Sequence, residues 1–193
     1  MRPRWAHGDR MSTSLVATCL VLASFLTGAA AAADPAPLHV DAEVDPTAYA
    51  LSGNSIHVGL GYRRYRLDVG NFALALPQWV HGDDGFDVSF EGYGAKLQVF
   101  PFAEQRGLVA GVDAAWTHLL IQRQGTDLAV RQDQLGVGVH VGYRISVIDR
   151  LYVTPWIGVG YQLGTRDVTL ADVTYQRMRI SVFPAVHVGY RFQ

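Results

Sequence analysis

The sequence predicts an all-β chain, an eight-stranded antiparallel up-and-down transmembrane β-barrel, and three observations carry that prediction. Long segments alternate strictly between apolar and small or polar residues, with period two in place of the helical 3.6. The less apolar face of that alternation is mostly glycine with a few Gln, Thr, His and Arg. Charged residues make up only 17% of the 193 residues, below the roughly 25% of an ordinary soluble domain.

The alternation is clearest over 134–146, where Leu135, Val137, Val139, Val141, Tyr143 and Ile145 share one face and Gln134, Gly136, Gly138, His140, Gly142 and Arg144 the other. Residues 151–163 and 177–192 repeat it. A soluble barrel turns its apolar face inward and shows water a charged exterior. Glycine gives a solvated surface nothing and costs backbone entropy, but it suits the lumen of a narrow barrel filled by a few long polar side chains. The Val, Ile and Leu face then meets lipid.

The coarse strands are 54–62, 64–75, 86–100, 107–121, 129–146, 150–163 and 176–192. Bacterial barrels of this kind have even strand numbers, so an eighth strand is expected within 38–51, a segment that also reads as a capped helical turn at Asp45-Pro46-Thr47. Pro155 and Pro184 fall inside strands, where proline removes a ladder donor. A bulge shared by the two, roughly opposite each other, accounts for them; an open sheet edge is the rival explanation.

The strands end alike. His57-Val58-Gly59 with Gly61-Tyr62-Arg63, His140-Val141-Gly142-Tyr143-Arg144 and His187-Val188-Gly189-Tyr190-Arg191 all close on Gly-Tyr-Arg. Tyr62, Phe100, Tyr143, Tyr190 and Phe192 are therefore expected to form an aromatic girdle at one membrane interface. Short connections at 63–64 and 147–150 suit the periplasmic end, and the longer 76–85 and 164–175 the outer surface.

Before the strands, Arg2, Arg4 and Arg10 precede an apolar run at 15–26 and the small residues Ala31-Ala32-Ala33, the layout of a cleavable signal peptide over 1–33. The run is too short to span a bilayer as a helix. The single cysteine, Cys19, leaves with it, so no disulfide, Cys–metal site or Cys nucleophile is expected. Residues 34–45 read as a polar lead-in and 46–193 as the barrel domain. A net charge of −1 argues against a nucleic-acid partner.

The signal, the glycine-alternating strands and the closing Val186-His187-Val188-Gly189-Tyr190-Arg191-Phe192 resemble small outer-membrane β-barrel proteins of the OmpA/OmpX/OmpW type. That resemblance implies a bacterial outer-membrane location and insertion by the barrel assembly machinery. It implies contact with outer-membrane lipid and lipopolysaccharide, and no single activity. The chain is expected to be a monomer.

Each candidate for chemistry also has a structural role open to it. Ser55 and His57 share a face, and a tight turn at Arg63-Arg64 brings Asp68 opposite, supplying the parts of an acyl-transfer triad. A buried polar network is the preferred reading. Arg66, Asp68, Lys96, Asp113, His140, Arg144 and Arg179 are expected to fill the lumen as a salt-bridged plug, because unpaired buried charge is costly. The loop Trp79-Val80-His81-Gly82-Asp83-Asp84-Gly85 reads as a solvated turn in preference to a cation site, and His118 carries no partner signal. No cofactor or metal motif is visible. The function expected is structural, surface-interactive or narrow solute passage. The alternatives are a lipid-modifying hydrolase and a soluble periplasmic ligand-binding barrel.

Overall fold

The computed structural model describes residues 38–192, so the signal-peptide reading lies outside the described residues. In chain order the elements are β1 (His39–Val44), α1 (Pro46–Ala50), β2 (Asn54–Tyr62), β3 (Tyr65–Leu76), α2 (Gln78–His81), β4 (Phe86–Val99), β5 (Gly107–Arg123), β6 (Ala129–Ser146), β7 (Leu151–Leu163), β8 (Val168–Leu170), β9 (Val173–Tyr175) and β10 (Ile180–Arg191). Eight of the strands close an antiparallel barrel in the order β1–β10–β7–β6–β5–β4–β3–β2, with β8 and β9 forming a separate hairpin.

The eighth strand is β1, which pairs with both β2 and β10 and so closes the sheet into a barrel. The barrel therefore starts at His39 and not at 46, and the segment taken as a polar lead-in carries wall residues. Both readings of 38–51 are realised in succession. After β1, the Asp45 side chain accepts the Thr47 N–H at 2.9 Å, Pro46 occupies the first turn, and α1 forms over five residues.

The alternation places its two faces as expected. Leu135, Val137, Val139, Val141, Tyr143 and Ile145 all point outward, Val139 being 46% exposed, while His140 and Arg144 are buried within. The glycines of the inner face leave room for their neighbours' side chains. A Cβ at Gly59 would sit 2.3 Å from Arg66 Nη2 and from Asp41 Oδ1.

The prolines resolve differently from a shared bulge. The register between β7 and β10 is continuous, with Pro184 opposite Ile157 and Pro155 opposite Val186, so the two are diagonal and no residue is inserted. Phe192 N–H donates to Val40 O, which turns the N–H groups of even residues on β10 toward β1. Because β1 ends at Val44, opposite Val188, Pro184 lies on a stretch of β10 that has no strand on its β1 side, where a missing donor costs nothing. Pro155 instead interrupts the β6–β7 ladder, which lacks pairs at Tyr143 and Arg144 and resumes in the same register at Ile145–Val153.

Strands β4, β5 and β6 run 14, 17 and 18 residues, more than the roughly 9–11 that cross a bilayer. Their excess lies at the end with the longer loops. There the inward positions turn apolar, and Phe86, Val88, Leu119 and Ile121 pack against Val168 and Tyr175 of the β8–β9 hairpin. Ala171 and Asp172, with φ of 48° and 66°, make that hairpin's tight turn. This apolar cap is not foreseen by the strand pattern, and it delays β10 to Ile180 from the expected 176.

Candidate functional site

The inner face of the barrel carries a continuous ionic network built from all eight strands of the wall. Its hub is Arg66 on β3, fully buried, whose Nε lies 3.0 Å from both carboxylate oxygens of Asp41. The same guanidinium reaches Asp68 Oδ2 at 3.0 Å and Glu43 Oε1 at 3.2 Å, and donates from Nη1 to Gln98 Oε1 at 2.8 Å. Lys96 Nζ stands 3.3 Å from Asp68 Oδ1 and above the Trp156 ring, 5.3 Å from its centroid.

Glu43 is the second hub. It accepts from Arg144 Nη2 at 3.0 Å, from the Tyr152 hydroxyl at 2.9 Å and from His187 Nδ1 at 2.7 Å. The Arg144 guanidinium is sandwiched between the Tyr152 ring, 4.0 Å away, and the Phe100 ring, 4.7 Å away. From Gln98 the network passes to His140 Nε2 at 3.2 Å, and His140 Nδ1 lies 3.0 Å from Asp113. Three carboxylates (Asp41, Glu43, Asp68) thus face three cations (Arg66, Lys96, Arg144) across a lumen only wide enough for side chains. Each charge that leaves water here has an opposite charge within 3.3 Å, which offsets the cost of burying it.

Of the lumen residues expected from the sequence, Arg66, Asp68, Lys96, Asp113, His140 and Arg144 are brought together. Arg179 is not: it precedes β10 and is exposed at the outer mouth, because the β8–β9 hairpin consumes the residues that would have lengthened the strand. Phe100 does not join the girdle either. It is 0% exposed and closes the lumen beneath Arg144, sharing the inward parity of Lys96 and Gln98. Tyr62, Tyr143, Tyr190 and Phe192 do lie outward on one rim, with Tyr190 and Phe192 in edge contact at 5.2 Å. Exposed Phe102 takes the vacant place in the girdle beside Tyr143, both rings lying within about 4 Å of where a Cβ on Gly107 would stand.

Asp41 and Glu43, the acids that balance the network, were missed. The available signal was the alternation His39, Asp41, Glu43 against Val40, Ala42, Val44, over a strand of six residues. Gln98 and Tyr152 were also missed, although their parity on β4 and β7 is inward.

Ser55, His57 and Asp68 do meet. His57 Nδ1 is 2.9 Å from Asp68 Oδ1 and His57 Nε2 is 3.1 Å from Ser55 Oγ, the order of an acyl-transfer triad. All three are buried, Asp68 is also held by Arg66 and Lys96, and His57 lies against the His187 ring at 4.9 Å. A nucleophile must reach a carbonyl carbon, and the packing around Ser55 leaves no approach for one.

On the outer loops, Asp83 accepts from Gly85 N–H at 2.9 Å and Asp84 from Gln78 Nε2 at 2.6 Å, so both carboxylates serve the turn. His81 is buried against Tyr175, and burial holds its imidazole below the ordinary value of 6.5. His118, without a partner signal in the sequence, pairs with Asp133 at 2.6 Å across adjacent strands.

No family model and no curated protein matches the sequence. Among solved structures, the chain is similar to the N-terminal β-barrel domain of Pseudomonas aeruginosa OprF, with 13% identity over 80% of this chain and 96% of that one and a TM-score of 0.43. It is also similar to Neisserial surface protein A (NspA), with 15% identity over 82% of this chain and 98% of that one and a TM-score of 0.43. The resemblance to small outer-membrane barrels is one of fold, and the strand register described above is what establishes the barrel here.

Proposed function

We propose that this chain is a bacterial outer-membrane barrel with a closed, ion-paired lumen, serving envelope integrity or surface interaction and passing little or no solute. The observation that carries the reading is the inverted distribution of polarity. Valine, isoleucine and leucine cover the outside while Arg66, Arg144, Asp41, Glu43 and Asp68 are sealed inside. In water that arrangement would expose a continuous apolar belt, far beyond the few hundred Å² a soluble monomer tolerates. Export by the leader at 1–33, insertion by the barrel assembly machinery, and contact with membrane lipid and lipopolysaccharide as a monomer belong to this reading. Its test is fractionation with gel mobility. A band in the outer-membrane fraction that migrates differently after boiling supports it, and a heat-unmodified periplasmic protein overturns it. In planar bilayers the purified chain should give no steady conductance.

A second reading, a lipid-modifying hydrolase, draws on the Ser55–His57–Asp68 hydrogen-bonded series. Altered lipid A on expression, abolished by His57→Ala, would favour it. The burial of Ser55 favours the first. A soluble ligand barrel would need apolar residues lining the lumen, where this chain carries its charges.

A further inference from the structure

The two ends of the barrel differ in charge. The end with the short connections carries Arg63, Arg64, Arg106, Arg150 and Arg191 against Glu104 and Asp149, a net positive rim among the described residues. In the longer connections at the other end, 77–85, 124–128 and 164–179, Asp outnumbers Arg. A guanidinium stays charged at any working pH, so the positive rim depends on no particular protonation state. Two of its arginines are placed by one buried residue. Gln105, 1% exposed, donates from Nε2 to Arg63 O at 3.0 Å and to Tyr65 O at 2.8 Å, which ties the β2–β3 turn to the β4–β5 connection. The Phe100 N–H adds a bond to Arg64 O at 2.8 Å. Arg63, with φ of 52°, holds its guanidinium over the outward Tyr62 ring, 5.4 Å from the centroid. Arg106, next to Gln105, is exposed, and Gly107 beyond it stands beside Phe102 and Tyr143 of the girdle. Both cations therefore lie at the aromatic girdle, at the depth of lipid headgroups.

The rim's chemistry selects its partner. Glu104 is the one carboxylate in these two connections, against Arg63, Arg64 and Arg106, so an anion is drawn to them. A phosphodiester suits a guanidinium, which can donate two parallel N–H bonds to its oxygens. A zwitterionic headgroup brings its own ammonium into the same field and is held less tightly. A soluble polyanion would need only the charge. Here Phe102, Val147 and Ile148 are also exposed in the short connections, and a lipid surface buries such side chains while presenting phosphate to the arginines beside them.

We infer that this rim binds an anionic phospholipid of the periplasmic leaflet, its phosphate on Arg63 and Arg106 and its acyl chains against the girdle. The inference rests on the proposed membrane placement, with the short connections at the periplasmic end. The test is native mass spectrometry of the full chain, purified in detergent and offered phosphatidylglycerol or phosphatidylethanolamine with the same acyl chains. The wild type should retain phosphatidylglycerol with about tenfold preference, equivalent to 1.4 kcal/mol. Arg63→Gln and Arg106→Gln should each lower that preference and together erase it, with the gel shift on boiling showing that the variants fold. Arg131→Gln, at the other end of the barrel, should leave the preference unchanged. Equal retention of the two lipids by the wild type, an undiminished preference in the double variant, or a preference erased by Arg131→Gln overturns the site. Binding of polyphosphate without any lipid preference also overturns it, in favour of a soluble polyanion. A barrel that needs detergent yet shows no preference overturns the site alone, whereas a chain soluble without detergent overturns the membrane reading beneath it.

Discussion

Replacing Arg66 with Met retains most of the side-chain volume and removes the charge at the hub of the lumen. Asp41 loses both bonds to the guanidinium Nε at 3.0 Å, and Asp68 and Glu43 lose cationic contacts at 3.0 and 3.2 Å. Asp68 keeps Lys96 and His57, and Glu43 keeps Arg144, Tyr152 and His187, so Asp41 is the group left most exposed to the loss. At an effective dielectric of 20, two unit charges 4 Å apart attract by about 4 kcal/mol. Most of that attraction offsets desolvation, but removing one partner alone leaves the desolvation uncompensated, and such losses run to about 3–5 kcal/mol. Arg66→Met should therefore cost about that much in urea unfolding in lipid vesicles, followed by the gel shift between folded and unfolded bands. Adding Asp41→Asn, which removes the stranded charge, should recover part of it. A single-variant cost under about 1 kcal/mol, the range of an exposed pair, would refute the claim that this network is sealed and structural.

Three further outcomes follow from the same geometry. Val139→Arg, on the outward face of β6, should cost about 2–4 kcal/mol near the bilayer midplane, and a neutral result in the vesicle unfolding assay would argue against lipid contact there. Gly59→Ala adds a Cβ 2.3 Å from the buried Arg66–Asp41 pair and should lower the urea midpoint by an amount equivalent to about 1–3 kcal/mol; an unchanged midpoint would contradict the tight lumen. Burial lowers the proton affinity of His81, so the folded loop binds a proton less readily than the unfolded one: its contribution is complete above the ordinary value of 6.5 and is lost as pH falls below it. Emission from nearby Trp79 should change on acidification in the wild type and not in His81→Phe; superimposable profiles would refute the assignment.

The strands of the wall were legible because lipid outside and a crowded lumen inside impose opposite residue types on alternate positions. The bounds of β2 and β6 agree with expectation residue for residue. What was not legible depended on partners distant in the chain. The strand role of His39–Val44 is decided by pairing with Gly189 and Arg191 at the far end of the sequence, and so was the identity of Asp41 and Glu43 as the acids of the lumen. Phe100 was assigned by its place at a strand end, when its parity with Lys96 and Gln98 pointed inward. Arg179 had the right parity but no strand to stand on, since the residues before it fold into a hairpin over Phe86 and Ile121. The triad geometry of Ser55, His57 and Asp68 was predictable from the turn at Arg63-Arg64, whereas its enclosure by Arg66, Lys96 and His187 required the closed barrel.

The central claim, that the apolar face of the strands lies in lipid around an ion-paired lumen, is tested most directly by a spin label at Val139→Cys in the reconstituted barrel. Residues 34–193 contain no other cysteine. Collision with dissolved oxygen should be frequent and collision with a water-soluble nickel complex rare at this position. Frequent collision with the nickel complex would place Val139 in water and contradict the account.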